Sequence, residues 1–472
     1  MELREYQKEI LGKIRHEFAK GNNRVIAQLP TGAGKTVVFT EIAKRTIMRG
    51  NSVLVITNRK ELLQQAGNTF KKFELMPEFL TSKTKILSSG HLYVGMSETI
   101  KRRLHRKDYV SFLNRFTLII IDEVHLQNFD KLYETINNNQ FLLGVTATPY
   151  RKGNKINPLS KFFDVLIEGI KIKQLIDLGY LSKPKVYGMP IDLSKVKLKN
   201  GEFDPNEIDK LYEEKKVYAG VIDNYKRLTP NTKALLFSAK VETSLKICEK
   251  LNNAGISAKH IDATTKERDQ ILKEFTQNKF KILCNVGILT FGYDCPSVET
   301  IILYRATMSL PLYLQMCGRG SRIYPGKEHF NILDFGDNVK RFDFWHSERP
   351  WKLDLMSKPK KKGAAPIKQC PECEALIPAN SQTCPECGFI FKNPEDEKPK
   401  IFAKLELLTY SEISRYAKTA TVKELIEIQK TKGYNSYWVC HQLKTFKELQ
   451  EYGEIKGYKK GWAYHNRKRF NI

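Results

Sequence analysis

A mostly apolar run, Val25-Ile26-Ala27-Gln28-Leu29, leads directly into Pro30-Thr31-Gly32-Ala33-Gly34-Lys35-Thr36, and a helical pattern from Val37 to Met48 leads out. No other stretch limits the fold so tightly. A buried strand that turns through two glycines into a helix is the context a phosphate-binding loop requires. The glycines let successive backbone N–H groups curl around an anion, and the helix N-terminus adds its partial positive charge. In such a loop Thr31, Gly32, Ala33 and Gly34 form the cradle and Lys35 reaches the β- and γ-phosphates of a nucleotide. Thr36 holds Mg²⁺ through its hydroxyl. The bland alternative, a ligand-free Gly-rich turn, leaves the intact Gly-x-Gly-Lys-Thr unexplained.

The residues around this loop extend the α/β rhythm. Residues 5–20 alternate charged and apolar at helical spacing, and Gln7 lies in the first turn. A Gln amide can pair bidentately with adenine; equally, Gln7 is a solvated helix residue. Val53 to Thr57 reads as a strand, followed by Asn58-Arg59-Lys60-Glu61-Leu62 opening a helix. His91 to Met96 is a further strand, followed by Ser97-Glu98-Thr99. Small hydroxyls and a basic residue at strand ends suit contacts to a phosphodiester backbone, which makes Arg59, Ser97 and Thr99 candidates. Thr117 to Ile121 is a buried parallel strand closed by Asp122-Glu123-Val124-His125. Two acids at the carboxyl end of such a strand, beside a triphosphate, divide the work: Asp122 binds Mg²⁺, and Glu123 orients and deprotonates the attacking water. Phe141 to Val145 is another strand, and the hydroxyls of Thr146-Ala147-Thr148-Pro149 either sense the γ-phosphate or cap a turn.

Composition narrows the partner. The chain of 472 residues exceeds one domain; about two or three are expected. A formal charge of +27 suits a polyanion binder better than an enzyme of small molecules. The charged N-terminus, Met1-Glu2-Leu3-Arg4-Glu5, reads as no signal peptide, and no apolar run approaches membrane-spanning length. Nine cysteines, four of them clustered late, do not look like a secreted disulfide framework, and a reducing cytoplasm is the expected location.

Residues 151–233 are mixed and Lys-rich, with a turn at Gly201 to Pro205 leading into a helix at 206–215. From Ala234 the α/β alternation returns: strands at 235–237, 258–261 and 282–286, helices at 241–251 and 264–275. No second phosphate loop accompanies them. Two further motifs appear instead, Thr290-Phe291-Gly292-Tyr293-Asp294 and Gln315-Met316-Cys317-Gly318-Arg319-Gly320-Ser321-Arg322. Arg319 and Arg322, three apart on one helical face, suit a phosphate whose charge grows in a transition state. A surface basic pair is the competing reading.

These pieces, in this order, resemble a superfamily 2 nucleic-acid helicase or translocase. The motifs matched are Gln7, 30–36, 57–62, 122–125, 146–149, 290–294 and 315–322. The resemblance implies two RecA-like parallel-sheet lobes with ATP in the cleft between them and the nucleic-acid strand running across both. It implies that Gln7, Gly292 and Asp294 belong to the nucleotide site. Lys35, Asp122, Glu123, Gln315, Arg319 and Arg322 carry catalysis, and Arg59, Ser97, Thr99, Ser238, Lys240 and Thr290 face the strand. Asp-Glu-Val-His departs from the Asp-Glu-Ala-Asp tetrad of RNA helicases and resembles the Asp-Glu-x-His branch, which holds many DNA translocases. Tyr313 to Gly320 and Ile332 to Asn338 look closest to RadD-type proteins and phage branch-migration helicases; for a phage-encoded chain the location is the host cytoplasm.

The C-terminal third adds two modules. A basic linker, Ser357 to Pro366, precedes Cys370-Pro371-Glu372-Cys373 and Cys384-Pro385-Glu386-Cys387. Two Cys-x-x-Cys knuckles supply four thiolates at the spacing of a structural, tetrahedral Zn²⁺ site. Thr421 to Lys444 then aligns without gaps on Thr445 to Lys468, with 11 of 24 positions identical. Each unit reads as a helix, a Lys-Gly-Tyr turn and a second helix carrying Trp and then His. Two hairpins packing their Tyr and Trp residues together is one reading, and basic faces gripping DNA is the other.

The expected organisation is therefore α/β, with two RecA-like parallel-sheet lobes followed by a small zinc-binding module and a helical tail. The boundaries expected are 1–155 for the ATP-binding lobe, 156–232 for a connecting segment and 233–345 for the second lobe. A basic linker then covers 346–369, the zinc module 370–392 and the repeat-bearing tail 400–472. ATP, Mg²⁺ and Zn²⁺ are the expected cofactors. DNA, branched or forked, is the expected partner, with RNA helicase activity and a non-enzymatic nucleic-acid scaffold as the alternatives.

Overall fold

The computed structural model describes residues 2–470 apart from 59, 85–88, 127–128, 152–156, 189–190, 192, 200, 215–216, 291–292, 354–366, 392–420, 433–435, 444 and 460. The chain divides into two compact units. One comprises Met1–Leu181, Phe291–Asp294 and Glu348–Ser357, and the other Ser182–Thr290, Cys295–Ser347 and Lys358–Ile472. Among the described residues no helix is long and apolar enough to cross a membrane.

The first unit is built on a seven-stranded sheet. Its strands are β1 (Arg24–Gln28), β2 (Val53–Thr57), β3 (Glu78–Leu80), β4 (Leu92–Met96), β5 (Leu118–Asp122), β6 (Phe141–Thr146) and β7 (Val165–Glu168). The spatial order is β3-β4-β2-β5-β6-β1-β7. Every pairing is parallel. Parallel strands are covered on both faces by their crossover helices, so the central ones must be apolar throughout. β2 and β5 are buried at every residue. The helices Glu5–Ala19 and Lys35–Ile47 flank β1.

The second unit repeats the scheme with six strands. They are β8 (Lys183–Gly188), β11 (Ala234–Ser238), β12 (Ala258–Ile261), β13 (Ile282–Asn285), β14 (Thr300–Tyr304) and β15 (His329–Asp334), in the order β12-β13-β11-β14-β15-β8, again all parallel. A small antiparallel ribbon pairs β9 (Leu198–Lys199) with β10 (Glu202–Phe203). The core beneath β11 and β14 includes Tyr212, Val221 and Tyr225 from the helices Pro205–Glu214 and Val217–Leu228.

Residues 156–232 are thus not a separate connector. β7 closes one edge of the first sheet and β8 closes one edge of the second. Both are edge strands, short and interrupted by charge or proline, which is how sheet edges avoid pairing with other chains. The expected linker at 346–369 also differs: the Trp351 N–H donates to Glu168 Oε1 at 3.2 Å and Leu353 O accepts from the Ser160 N–H, so this return segment packs on the first unit. The helix expected from Thr264 begins only at Arg268. The Asp262 carboxylate takes both the N–H and the hydroxyl of Thr264 and of Thr265, holding that stretch as a turn. These bonds keep the carboxyl well below the usual range, the Thr264 hydroxyl contributing most.

Two modules follow in the second unit. β16 (Ile367–Gln369) pairs antiparallel with β17 (Leu376–Pro378), carrying the first cysteine knuckle. It lies against the edge strand β8, where Glu386 Oε1 sits 2.7 Å from Lys183 Nζ, and against the helix Val217–Leu228, where Glu374 Oε2 sits 2.6 Å from Arg227 Nη1. The tandem repeat forms the helices Val422–Lys432 and Phe446–Lys456, each followed by a short helix, Ser436–Cys440 and Trp462–Asn466. Its capping boxes repeat with its sequence. Thr421 N–H donates to Glu424 Oε2 and Glu424 N–H to Thr421 Oγ1; Thr445 and Glu448 make the same pair of bonds. Leu425, Leu449, Val439 and Ala463 share one apolar core, with Trp438 and Trp462 packed against it.

Candidate functional site

β1 delivers the chain to the phosphate-type loop, where Gly32 and Gly34 adopt φ of +94° and +80°. These left-handed values admit glycine at little cost. Gly34 is doubly constrained, since a Cβ there would stand 2.6 Å from Gln7 Nε2. The loop is braced from one side: the Tyr6 hydroxyl and Gln7 Nε2 donate to Ala33 O at 3.0 and 3.2 Å, while Gln7 Oε1 accepts the Arg4 N–H at 3.0 Å. The residue expected to read adenine is therefore engaged at both ends of its amide, with the loop through Nε2 and with the start of its own helix through Oε1. Lys35 opens the following helix, and its Nζ lies 3.7 Å from Glu123 Oε1, with both side chains largely buried.

The acids sit at the end of β5. Asp122 is buried, and its carboxylate accepts the backbone N–H of Glu123 at 3.1 Å. Burial pushes its carboxyl up to about 7; the charge of Glu123 adds to this, while Lys35 and the N–H bond oppose it. A carboxylate so poorly compensated beside a phosphate-type loop and Lys35 is suited to a cation, and with Thr36 it supplies the hard oxygen donors that Mg²⁺ takes. Glu123 takes φ +54°, and its Oε2 accepts the Thr146 hydroxyl at 3.1 Å. Thr146 Oγ1 also accepts the Thr148 N–H at 3.1 Å and lies 2.8 Å from His125 Nδ1. With its proton given to Glu123, Thr146 must receive one from His125, which fixes the Nδ1–H tautomer. Burial lowers the His125 pKa, with Arg151 and Lys35 reinforcing and Glu123 opposing the shift. Its 3.4 Å approach to Glu123 Oε2 is therefore that of a neutral imidazole rather than an ion pair.

Sequence reasoning missed the residue that holds this turn in place. Arg151 donates to the carbonyls of His125 (2.9 Å), Leu126 (2.8 Å), Val124 (3.3 Å) and Asn157 (3.2 Å), and to Asp130 Oδ1 (2.7 Å). Nothing local marks Arg151 out, because four of its five partners lie 21 to 27 positions upstream. Thr146 carried a signal, its hydroxyl at a strand end, but not its partner.

In the second unit Arg319 Nη2 donates to Thr290 O at 2.8 Å, joining two motifs far apart in sequence. The two arginines do not share a helical face. The helix Leu310–Gly318 stops before them, with Arg319 as its C-cap and Arg322 in the extended stretch beyond. Gly320 causes the departure: a Cβ there would meet Phe330 at 2.5 Å and Ile301 at 2.9 Å, so the backbone passes flush against the sheet. Gln315 is buried, and neither end of its amide finds a partner among the described residues. Asp294 is exposed, and Gly292 lies outside the described residues.

The nucleic-acid candidates are scattered. Arg59 lies outside the described residues. Ser97 is buried at the start of the helix Ser97–Arg103 and Thr99 is half-buried. Ser238 is buried and donates to Lys240 O at 3.2 Å. Lys240 Nζ lies 3.1 Å from Asp209 Oδ2, and the Thr290 side chain is buried.

The four cysteine sulfurs, Cys370, Cys373, Cys384 and Cys387, all lie within 4.8 Å of one another. Cys370 and Cys387 are 3.4 Å apart and Cys373 and Cys384 3.6 Å. A tetrahedral zinc with bonds of about 2.3 Å spaces its sulfurs at about 3.8 Å, so this cluster could bind zinc.

Comparison with known proteins agrees with this layout. Residues 1–151 match the family model "Type III restriction enzyme, res subunit", residues 217–324 match "Helicase conserved C-terminal domain", and residues 368–393 match "Uncharacterised protein family UPF0547". A "51.5 kDa protein" of Lactococcus phage (isolate 7-9) is 33% identical over 397 residues, which span 81% of each chain. The "Putative ATP-dependent helicase IRC3" of Saccharomyces cerevisiae is 29% identical over 360 residues, 71% of this chain but only 51% of that relative. Among solved structures, a fragment of a putative HsdR subunit of a type I restriction enzyme from Vibrio vulnificus YJ016 superposes with a TM-score of 0.59 at 23% identity. That superposition covers 72% of this chain and 65% of the fragment, and bears on the fold alone.

Proposed function

This chain belongs to the superfamily 2 DExH-type helicases and is an ATP-hydrolysing enzyme, and from that premise we propose that it moves along DNA and remodels branched or forked DNA. The observation that carries the choice of partner is the charge. A net +27 is an electrostatic footprint for phosphodiester backbone. The restriction-enzyme description of the matched first-lobe family supports DNA over RNA. The resemblance of Tyr313 to Gly320 to branch-migration helicases and the extra modules after the second lobe support a branched substrate.

In this reading the loop 30–34 and Lys35 bind the β- and γ-phosphates, and Asp122 and Thr36 hold Mg²⁺. The metal, when bound, neutralises charge on the phosphates. Glu123 orients the attacking water and takes its proton, its carboxylate held on one side by the Thr146 hydroxyl and approached on the other by Lys35. Arg319 and Arg322 stabilise the charge that grows on the transferred phosphoryl group.

The test is ATP turnover against a panel of single-stranded, duplex, forked and four-way DNA, with matched RNA. Forked or four-way DNA should stimulate most, and Lys35→Ala and Glu123→Gln should abolish the stimulated rate. Equal stimulation by all DNA shapes would remove the branched-substrate reading. Stronger stimulation by RNA would replace the partner. Retained turnover in Glu123→Gln would refute the catalytic assignment.

A further inference from the structure

Between the helix Leu310–Gly318 and β15 the chain folds back on itself at Pro325-Gly326, and Gly326 takes φ +79°. The return carries Lys327 underneath the segment it has just left. The Lys327 ammonium is mostly withdrawn from solvent and lies among four main-chain carbonyls. Gly320 O (2.5 Å) and Arg322 O (2.8 Å) belong to the arginine segment. Val298 O (2.5 Å) and Pro296 O (3.3 Å) belong to the turn that follows Thr290 to Asp294. Four carbonyl dipoles converging on one point form a site for a cation, and Lys327 fills it with three donors. No acid lies within ion-pair distance of it among the described pairs, so its compensation comes from backbone. The same arginine segment is tied again from β8's approach: the Ser182 hydroxyl donates to Arg322 O at 3.0 Å and the Ser182 N–H to Ser321 O at 2.8 Å.

Of the two segments that Lys327 joins, one carries Arg322 and adjoins Arg319, and the other directly follows Thr290 to Asp294; β14 and the helix Leu310–Gly318 separate them in sequence. One direct bond, from Arg319 Nη2 to Thr290 O, spans them near the arginines. Lys327 spans them at the other end. Backbone held at both ends of a short segment cannot slide, and the guanidinium groups it carries inherit that rigidity.

We propose that Lys327 is a positioning residue for ATP hydrolysis, fixing the Gly320–Arg322 backbone against Pro296–Val298 so that Arg319 and Arg322 are aimed before the phosphate is transferred. This rests on the reading that those arginines serve the nucleotide. Lys327 touches no reacting atom; it acts through the segment it holds. Burial draws its pKa down to about 8, with Glu299 and Cys295 opposing and Arg322 reinforcing the shift. These are the titratable groups that face it from the neighbouring turn and the arginine segment. The ammonium therefore becomes an amine within an accessible pH range, losing its charge and one donor.

The experiment is steady-state ATPase kinetics on the full chain with saturating DNA, for wild type, Lys327→Met, Ser182→Ala and Arg322→Ala, from pH 6.5 to 9.5. Lys327→Met should lower kcat by about 10- to 100-fold, the scale of a misplaced catalytic group, and leave KM for ATP within about twofold, since arginines acting in the transition state govern kcat. Wild-type kcat should fall above pH 8, and the variant should lack that limb. Ser182→Ala removes one bond from the same segment and leaves the ammonium in place. It should lower kcat in the same sense by a few-fold, and it keeps the inference testable if Lys327→Met does not fold. A wild-type kcat in Lys327→Met would overturn the inference, as would a rise in KM alone. If Lys327→Met yields no folded protein, an unchanged kcat in Ser182→Ala would overturn it. Arg322→Ala separates the two levels. Its full activity would sink the arginine reading itself, whereas its inactivity together with an unaffected Lys327→Met sinks only the role given to Lys327.

Discussion

Replacing Arg151 with Met should cost the first lobe stability and activity together. Methionine keeps much of the stem's volume and deletes the guanidinium, so the loss is electrostatic rather than a cavity. The carbonyls of His125 and Leu126 in the turn after β5 lose the Arg151 donor, as does Asn157 O, while Val124 O keeps the Tyr133 hydroxyl at 3.1 Å. Asp130 loses its ion-pair partner at 2.7 Å, where the Arg151 side chain is 1% exposed and that of Asp130 22%. Removing one member of a buried ion pair costs about 3–5 kcal/mol. Because Asp130 can draw on water once abandoned, the lower end applies, about 3 kcal/mol. For a unit of this size each kcal/mol moves Tm by about 2–4 °C, so the first-lobe transition in a calorimetric scan should fall by roughly 6–12 °C. The turn it releases carries Glu123 and His125, so kcat should fall by about 10- to 100-fold even well below the new Tm. Arg151→Met with Asp130→Asn neutralises the stranded acid and should recover part of the stability but not the turnover. A shift under 2 °C with unchanged kcat would show that the turn keeps its shape without the clamp.

Other consequences follow from the same geometry. Asp122, with its carboxyl raised to about 7, must give up a proton when Mg²⁺ binds. Affinity for Mg²⁺-nucleotide should therefore weaken by up to about tenfold per unit as pH falls below 7 and level off above it; calorimetric titrations at pH 6 and 8 that give equal Kd would contradict this. Cys384→Ser, or stripping metal with a chelator, should lower the thermal transition of the second unit, because the knuckles buttress the edge strand β8 through Glu386 and the helix Val217–Leu228 through Glu374. A chelator-insensitive transition would argue that the hairpin stands without metal. Residues 456–470, at the end of the repeat and just beyond it, hold six lysines and arginines and no acid, and Arg467 lies 4.2 Å over the exposed ring of Tyr464. Tyr464→Ala with Arg467→Ala should weaken forked-DNA binding several-fold without moving Tm, as read by fluorescence anisotropy; unaltered binding would assign this end of the tail to packing alone.

Much of the first lobe could be read from local sequence because its central elements satisfy several demands at once. β1, β2, β5 and β6 are apolar because helices cover both faces, and the loop at 30–36 needs glycine at two positive-φ positions. The acids of Asp-Glu-Val-His stand where such a strand must end. The elements that escaped reading lie where those demands relax. β3, β7 and β8 are sheet edges, and their charged or proline-bearing sequences resemble connectors. The arginine segment escaped for a different reason. Spacing of three suggests one helical face, but Gly320 must lie flush against Phe330 and Ile301, a constraint set by residues distant in sequence. Arg151 and Lys327 share this property in part: each is an ordinary basic residue in its own neighbourhood, and its role appears only when carbonyls from two separate segments, one of them more than 20 residues away, converge on it.

The tandem repeat shows how local and tertiary demands divide. Positions that govern helix formation are retained in both units: Thr421 and Thr445 as caps, Glu424 and Glu448 as their reciprocal partners, Leu425 and Leu449 in the shared core. Each cap is worth about 1 kcal/mol to a helix too short to persist alone, which explains why a duplicated helix keeps its first turn. The units diverge where their surroundings differ. Cys440 and Leu443 of the first unit are buried, while their counterparts Tyr464 and Arg467 are exposed or half-exposed. The first unit's second helix packs into the shared core, and the second unit's last helix presents an outer face. Relieved of packing, those positions carry an aromatic ring and a guanidinium instead of apolar side chains, the pair of groups that suits contact with a nucleic-acid strand. The sequence identity between the units thus reports how they fold, and their differences report where packing no longer dictates the side chain.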